Sequence, residues 1–182
     1  MSLRIITGTR KGHKLKGPNS PDARPTEDRI KEAIFNIINP IEEDAMVLDV
    51  FACTGNIGLE FLSRGAKKAY FSELNRDNLK LLDDNIKHTK FENESVVLSG
   101  DFRRNIAQIR ENVDYVYLDP PYNSEFYQLA FEAMLNNKYF EEALYIVEIN
   151  IDIDFSEKFN NLDLVYEKKY GKKYIRFYRE LK

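Results

Sequence analysis

The chain has 182 residues, 43% of them hydrophobic and 31% charged, with a formal net charge of −3. That length suffices for one domain with its own core, and no run approaches the roughly 20 apolar residues of a membrane span. The single cysteine, Cys53, excludes an internal disulfide and forms no metal-ligand spacing with His13 and His88, so a reducing, cytoplasmic setting and metal-free chemistry are expected.

The opening "MSLRIITGTRKGHKLK" has no apolar stretch of the kind a signal peptide needs. Residues 3–16 alternate weakly around Gly8 and Gly12 and predict a short hairpin. Residues 1–24 carry Arg4, Arg10, Lys11, Lys14, Lys16 and Arg24 against Asp22 alone, a balance of +5 that leaves −8 for the rest. Such asymmetry points to an anionic partner, although a solvated charged edge accounts for the charge equally well. "KGPNSPDARP" reads as a loop. Thr26 then stands as an N-cap before Glu27 and Asp28, and Ile30, Ala33, Ile34, Ile37 and Ile38 mark a helix that Pro40 stops.

From residue 45 strands and helices alternate. Strands are predicted at 45–51, 67–73, 95–99, 113–119 and 143–149, with helices at 57–63, 75–89, around Ile106 and Ile109, and at 124–136. The last of these puts Phe126, Leu129, Ala130, Ala133 and Met134 on one face. Apolar strands without alternation are buried on both faces, as a parallel sheet between helices requires. The end, "LDLVYEKKYGKKYIRFYRE", is instead a hairpin turning at Gly171 and Lys172. The expectation is one Rossmann-like α/β domain over 1–182. It has a basic hairpin, loop and helix over 1–40, and over 41–182 a mostly parallel seven-stranded sheet ending in an antiparallel hairpin.

"LDVFACTGNIG" (48–58) lies beyond the first strand, where open α/β sheets bind ligands. It lacks GxGxxG and any GK[ST], so a ligand without phosphates suits it better. S-adenosylmethionine (SAM) is such a ligand. Asp49 could take its ammonium, with Phe51 beside it and the amides of Thr54, Gly55 and Asn56 on its carboxylate. Glu73, 24 residues after Asp49, has the spacing of a ribose acid. Asp101 could accept from the adenine amino group, with Phe102 against the ring. Each acid alone is more often structural; three after three successive strands are harder to dismiss. For Cys53 the favoured reading is a small buried residue, since no base is near enough in sequence to make it a nucleophile.

"LDPPYN" (118–123) follows the fourth apolar strand. Prolines 120 and 121 could simply stiffen a loop. In a functional reading of Asp119, Pro120, Pro121 and Tyr122, the Asp119 carboxylate and the Pro120 carbonyl accept from an exocyclic amine and Tyr122 stacks on the base.

Together with "RIITGTRKGHKLK", "RPTEDRIKEAIFNII" (24–38), "LDVFACTGNIGLEFLSRGA" (48–66), "LDPPY" (118–122) and the final "YGKKYIRFYR", these motifs resemble the RsmD-type 16S ribosomal RNA guanine-N2 methyltransferase family across most of the chain. The resemblance implies a class I SAM-dependent methyltransferase fold and methylation of a guanine amino group in ribosomal RNA, on the small subunit or its assembly intermediate. It matches Asp49 and Gly55 to the cofactor loop, Glu73 to the ribose acid and Asp119 to Tyr122 to the catalytic motif, and it puts Arg24 and Thr26 near the pocket mouth. Cys53 departs from it, standing where the family pattern reads glycine. "IVEIN" (146–150) also departs, from an expected polar histidine-serine type ending, and no role is assigned to it.

Arg10, Lys11 and Lys14 are the candidate RNA contacts. Lys168, Lys169, Lys172, Lys173 and Arg176 form a second basic group, read as a solvated hairpin. A cytoplasmic monomer is expected. Amino-group methylation of another RNA, of DNA adenine or of protein glutamine stays open, as does a non-catalytic RNA-binding protein on the same scaffold.

Overall fold

The computed structural model describes residues 3–17, 28–121, 124–153 and 161–181. Arg24, Thr26 and Tyr122 of the expected site lie outside them.

In chain order the elements are α1 (Asp28–Ile38), β1 (Met46–Asp49), α2 (Asn56–Ser63), β2 (Lys68–Glu73), α3 (Arg76–Thr89), β3 (Ser95–Ser99), α4 (Phe102–Ile106), β4 (Tyr115–Leu118), α5 (Ser124–Leu135), β5 (Leu144–Asn150), β6 (Leu162–Tyr170) and β7 (Lys173–Glu180). The seven strands form one sheet in the order β3-β2-β1-β4-β5-β7-β6. All pairings are parallel except those of β7, which lies antiparallel between β5 and β6. Strand order therefore reverses between β1 and β4, and a crevice beyond their carboxyl ends is where such sheets hold ligands.

The uninterrupted apolar runs become the inner strands: every residue of β1 is buried, as are all but the last of β5. One face is covered by α1, α2 and α3, through Ile34, Phe35, Phe61, Leu82 and Ile86. The other is covered by α4 and α5, through Ile106, Tyr127, Phe131 and Met134. Removing each such large side chain from water contributes roughly 1.5–3 kcal/mol. The deepest stripe of α5 runs Tyr127, Ala130, Phe131 and Met134, one residue round from the expected face, so Phe126, Leu129 and Ala133 are only partly buried. β3 departs from the expected two-sided burial. It is the edge strand, and Val97 stays 40% exposed.

The predicted N-terminal hairpin is present: Ile5 N–H donates to His13 O (3.0 Å) and Leu15 N–H to Leu3 O (2.8 Å). A buried polar cluster holds it to the sheet. Glu60 of α2, fully buried, accepts from the Ile6 and Thr7 amides (2.8 and 3.0 Å) and pairs with Lys31 (3.1 Å) and Arg64 (2.9 Å). Lys31 of α1, also fully buried, donates to Arg4 O (2.6 Å) and to Asn56 Oδ1 (2.8 Å). Burial lowers its pKa and the Glu60 carboxylate opposes that, so the pair satisfies two charges that would each be costly alone. Asn85 of α3 does the same for backbone. Its side chain accepts from Lys16 N–H (2.8 Å) and donates to Lys16 O (3.0 Å) and to Thr54 O (2.9 Å).

Candidate active site

Six charged residues follow the sheet order along one edge, at or near the carboxyl ends of the parallel strands: Asp101, Glu73, Asp49, Asp119, Glu148 and, at the start of antiparallel β7, Lys173. Asp49 closes β1. It is 2% exposed, and its Oδ2 accepts from Gly58 N–H at 3.3 Å. Burial pushes its pKa up to about 7, the Gly58 amide opposes that, and Glu73 adds to the rise. A neutral acid and a cationic ligand group would stabilise each other's ionisation here.

Between Asp49 and α2 the chain makes two left-handed turns, at Cys53 (φ 49°) and Gly55 (φ 77°). Gly55 N–H donates to Ala52 O (2.7 Å), and a Cβ at residue 55 would lie 2.5 Å from Leu82 Cδ1. Only glycine fits both the angle and the space. Glu73 ties this loop to its own strand end: Oε2 accepts from Cys53 N–H (2.7 Å), and Oε1 from Leu74 and Asn75 N–H (2.9 and 2.7 Å). Thr54 and Asn56 are buried, and the Asn56 side chain is committed to Lys31, which leaves its backbone as the part that could meet a ligand. The Cys53 thiol is pushed up to about 11, first by burial and then by Glu73 and Asp49. It stays a thiol at neutral pH, which argues against a nucleophile, although the residue is half-buried rather than buried as expected.

Phe51, Phe102 and Phe126 form an aromatic cluster beside the loop, with ring centroids 5.0–6.1 Å apart. Asp101 is more occupied than expected. It caps α4 by accepting from Arg103 N–H (2.9 Å) and pairs with the Arg103 guanidinium (2.7 Å), which holds its carboxyl down at about 2. No charge or aromatic neighbour in the sequence distinguishes a helix cap from a ligand acid, which is why the capping role was missed.

Asp119 follows β4 directly, with Pro120 buried and Pro121 exposed after it. Its side chain is 27% exposed and lies 3.9 Å from Lys173 Nζ. Burial raises its pKa well above the usual carboxylate range; Glu148 and, less strongly, Asp49 raise it further, and Lys173 opposes them. The residues present suit SAM: a buried acid for an ammonium, a second acid at the next strand end, an apolar aromatic wall for a flat ring, and a loop without a cation that would favour phosphate. Among the described residues no group of His, Cys, Asp and Glu could hold a metal ion.

The family model described as Conserved hypothetical protein 95 matches residues 3–179. Ribosomal RNA small subunit methyltransferase D of Escherichia coli strain K12 is 35% identical, covering 97% of this chain and 89% of its own. The protein of the same name from Haemophilus influenzae is 36% identical over 82% of this chain and 80% of its own. The chain belongs to the ribosomal RNA small subunit methyltransferase D family. The solved yhhF structure from Escherichia coli superposes on it with a TM-score of 0.87 and 31% identity, over 100% of this chain and 99% of that one. The fold is thus that of the class I methyltransferases.

In this family member two charged groups beside Asp119 were not foreseen. Glu148, in "IVEIN", is 1% exposed; Tyr117 O–H donates to its Oε2 (2.7 Å), Tyr127 O–H to its main-chain oxygen (2.7 Å), and Lys173 pairs with its Oε1. A glutamate inside an apolar strand run was the available signal. Lys173 corrects the expectation that the hairpin lysines are all solvated. β7 inserts next to β5, pairing Asn150 with Lys173 and drawing this lysine onto the site's edge. Arg10 also has a structural task, donating from Nε to Thr89 O (2.7 Å) and lying over Phe91, 5.1 Å from the ring centroid. Lys11 and Lys14 are exposed.

Proposed function

We propose that this family member transfers a methyl group from SAM to the exocyclic N2 amino group of a guanine in small-subunit ribosomal RNA. The observation that carries the reading is the position of Asp119, immediately beyond β4 at the point where strand order reverses, with Asp49 ending the neighbouring strand β1. Family membership and the names of the relatives support ribosomal RNA as the substrate class.

When bound, SAM supplies an electrophilic methyl group on a sulfonium. Asp49 would hold the ammonium end, the first-turn amides of α2 the carboxylate, Glu73 the ribose hydroxyls and Phe51 with Phe102 the adenine ring. For Asp101 the capping bond and the two bonds from the Arg103 guanidinium leave one acceptor position, on Oδ2, through which it could still meet an adenine amino group. The Asp119 carboxylate and the Pro120 carbonyl would accept the two N–H groups of the target amine. That fixes the nitrogen's direction, and orientation of this kind supplies much of the rate of a two-body transfer. Tyr122 would stack on the base, which must leave its helix to reach the site. Lys11, Lys14 and Arg24 would meet phosphates, with Thr26 at the mouth. We read the protein as a cytoplasmic monomer working on the small subunit or its assembly intermediate.

The test is transfer of radiolabelled methyl groups to small subunits lacking the mark, followed by nucleoside analysis. Label in N2-methylguanosine is expected, and Asp119→Ala should lower transfer by about 100-fold or more while calorimetric SAM binding persists. Label in N6-methyladenosine would refute the guanine assignment.

A further inference from the structure

Asp119 is surrounded by titratable groups from five directions. Asp49 faces it from β1, Cys53 from the loop that follows, Glu148 from β5, Tyr127 from α5 and Lys173 from β7. The Cys53 thiol and the Tyr127 phenol are held neutral by burial. What is left is two carboxylates against one ammonium. Lys173 Nζ lies 3.9 Å from Asp119 Oδ2 and pairs directly with Glu148 Oε1, while Tyr117 fixes the other Glu148 oxygen. Lys173 itself is only 26% exposed, held by the β5–β7 register at the first residue after the hairpin turn.

We propose that Lys173 is a positioning residue for the methyl-transfer site: its ammonium, lodged between Asp119 and Glu148, favours the carboxylate form of Asp119, the form that can accept from the substrate's amino group. The assignment rests on the reading of Asp119 given above. A protonated Asp119 would carry a proton of its own toward the amine and lose one of its acceptor positions. Two neighbouring acids and partial burial favour that protonated form, and the positive charge of the lysine opposes it. Glu148 has the complementary task. Fully buried and tied to Tyr117, it anchors the ammonium in place rather than touching substrate.

The experiment uses the full chain and two readouts. In ligand-free protein carrying 13C-labelled aspartate, the Asp119 carboxyl signal is assigned by its loss in Asp119→Asn. Its titration midpoint should rise by about one pH unit or more in Lys173→Met, which keeps the aliphatic stem, and stay near the wild-type value in Lys173→Arg. Lys173→Gln, which removes the charge but can still hydrogen-bond Glu148, should raise the midpoint as well, so the proposal is tested even if Lys173→Met does not fold. In methyl transfer, the acid limb of kcat/KM for Lys173→Met should shift by the same interval, giving about a tenfold loss per pH unit on that limb, with less than about a twofold change in KM for SAM. A purely structural lysine would lower activity at every pH. An Asp119 midpoint unmoved by Lys173→Met, or by Lys173→Gln where that is the folded variant, overturns the proposal. A shifted midpoint in a protein whose wild type marks no guanine would strike the functional reading alone.

Discussion

Cys53 occupies a backbone angle (φ 49°) that costs a side-chain-bearing residue about 1–2 kcal/mol. Replacing it by glycine relieves that strain but loosens the unfolded chain by roughly 0.5–1 kcal/mol. The first effect is the larger, so Cys53→Gly should be about 0.5–1 kcal/mol more stable in denaturant titrations and bind SAM at least as tightly; weaker binding would show that the thiol makes a contact of its own. Asp49 makes the opposite trade. Its folded pKa of about 7 lies above the ordinary value of 3.8, so the folded state holds a proton that the unfolded state has lost, and this group's contribution to stability falls as pH rises from about 4 to about 7. Ligand affinity runs the other way. Calorimetry should show SAM binding strengthening as Asp49 ionises toward pH 7, then weakening near about pH 8 as an α-amino group loses its proton. Asp49→Asn should remove the acid limb, and a limb that survives would put the ammonium elsewhere.

At the scale of elements, α2 is the piece on which the site depends most, because all eight of its residues are buried and its first turn closes the cofactor loop. Gly58 sits in that turn against Phe71, and a Cβ there would come within 2.2 Å of the ring. Alanine normally favours a helix over glycine by about 1 kcal/mol, yet overpacking here costs about 1–3 kcal/mol, and the ring is walled in by core. Gly58→Ala should therefore lose stability and displace the amide that Asp49 accepts from, lowering SAM affinity as well; a stabilised variant would mean Phe71 can swing aside. The strands around this helix were legible because their apolar runs are local. Asp49, Glu73 and Asp119 were legible for the same reason, each closing such a run. Pairing between distant segments is not local: chain order suggests β5 beside β6, whereas β7 intervenes, and that single insertion is what brings Lys173 beside Asp119. The Lys31–Glu60 pair was equally invisible, since a 3.6-residue period assigns a lysine or a glutamate to the wet face of a helix and only the hairpin's unmet amides explain why the acid is inside.

The whole molecule carries −3, yet its N-terminal 24 residues carry +5, so an RNA phosphate backbone would be attracted to one end and repelled by the rest. Affinity for small-subunit RNA should fall with salt, and replacing exposed Lys11 and Lys14 by alanine should reduce the slope of log K against log salt by about 1.4 to 1.8, with SAM binding intact. An unchanged slope would move the RNA face to another surface. Arg10→Ala belongs to a different class of variant, since its guanidinium is spent on Thr89 and Phe91 and its loss should be read in melting temperature first.

The composition changes near residue 40, inviting a division into a basic arm and a catalytic core. Asn56 and Asn85 contradict that division. Each spans the divide with one side-chain amide: Asn56, in the first turn behind the cofactor loop, receives Lys31, and Asn85 joins Thr54 of that loop to Lys16. A fragment cut at residue 41 would retain all seven strands and every acid of the site, yet it would take Lys31 from Asn56, Lys16 from Asn85, and Lys31 with the hairpin amides from Glu60. The arm is scaffolding as well as the docking surface proposed for RNA, and an RNA that pulled on it would pull on the loop proposed to hold the cofactor.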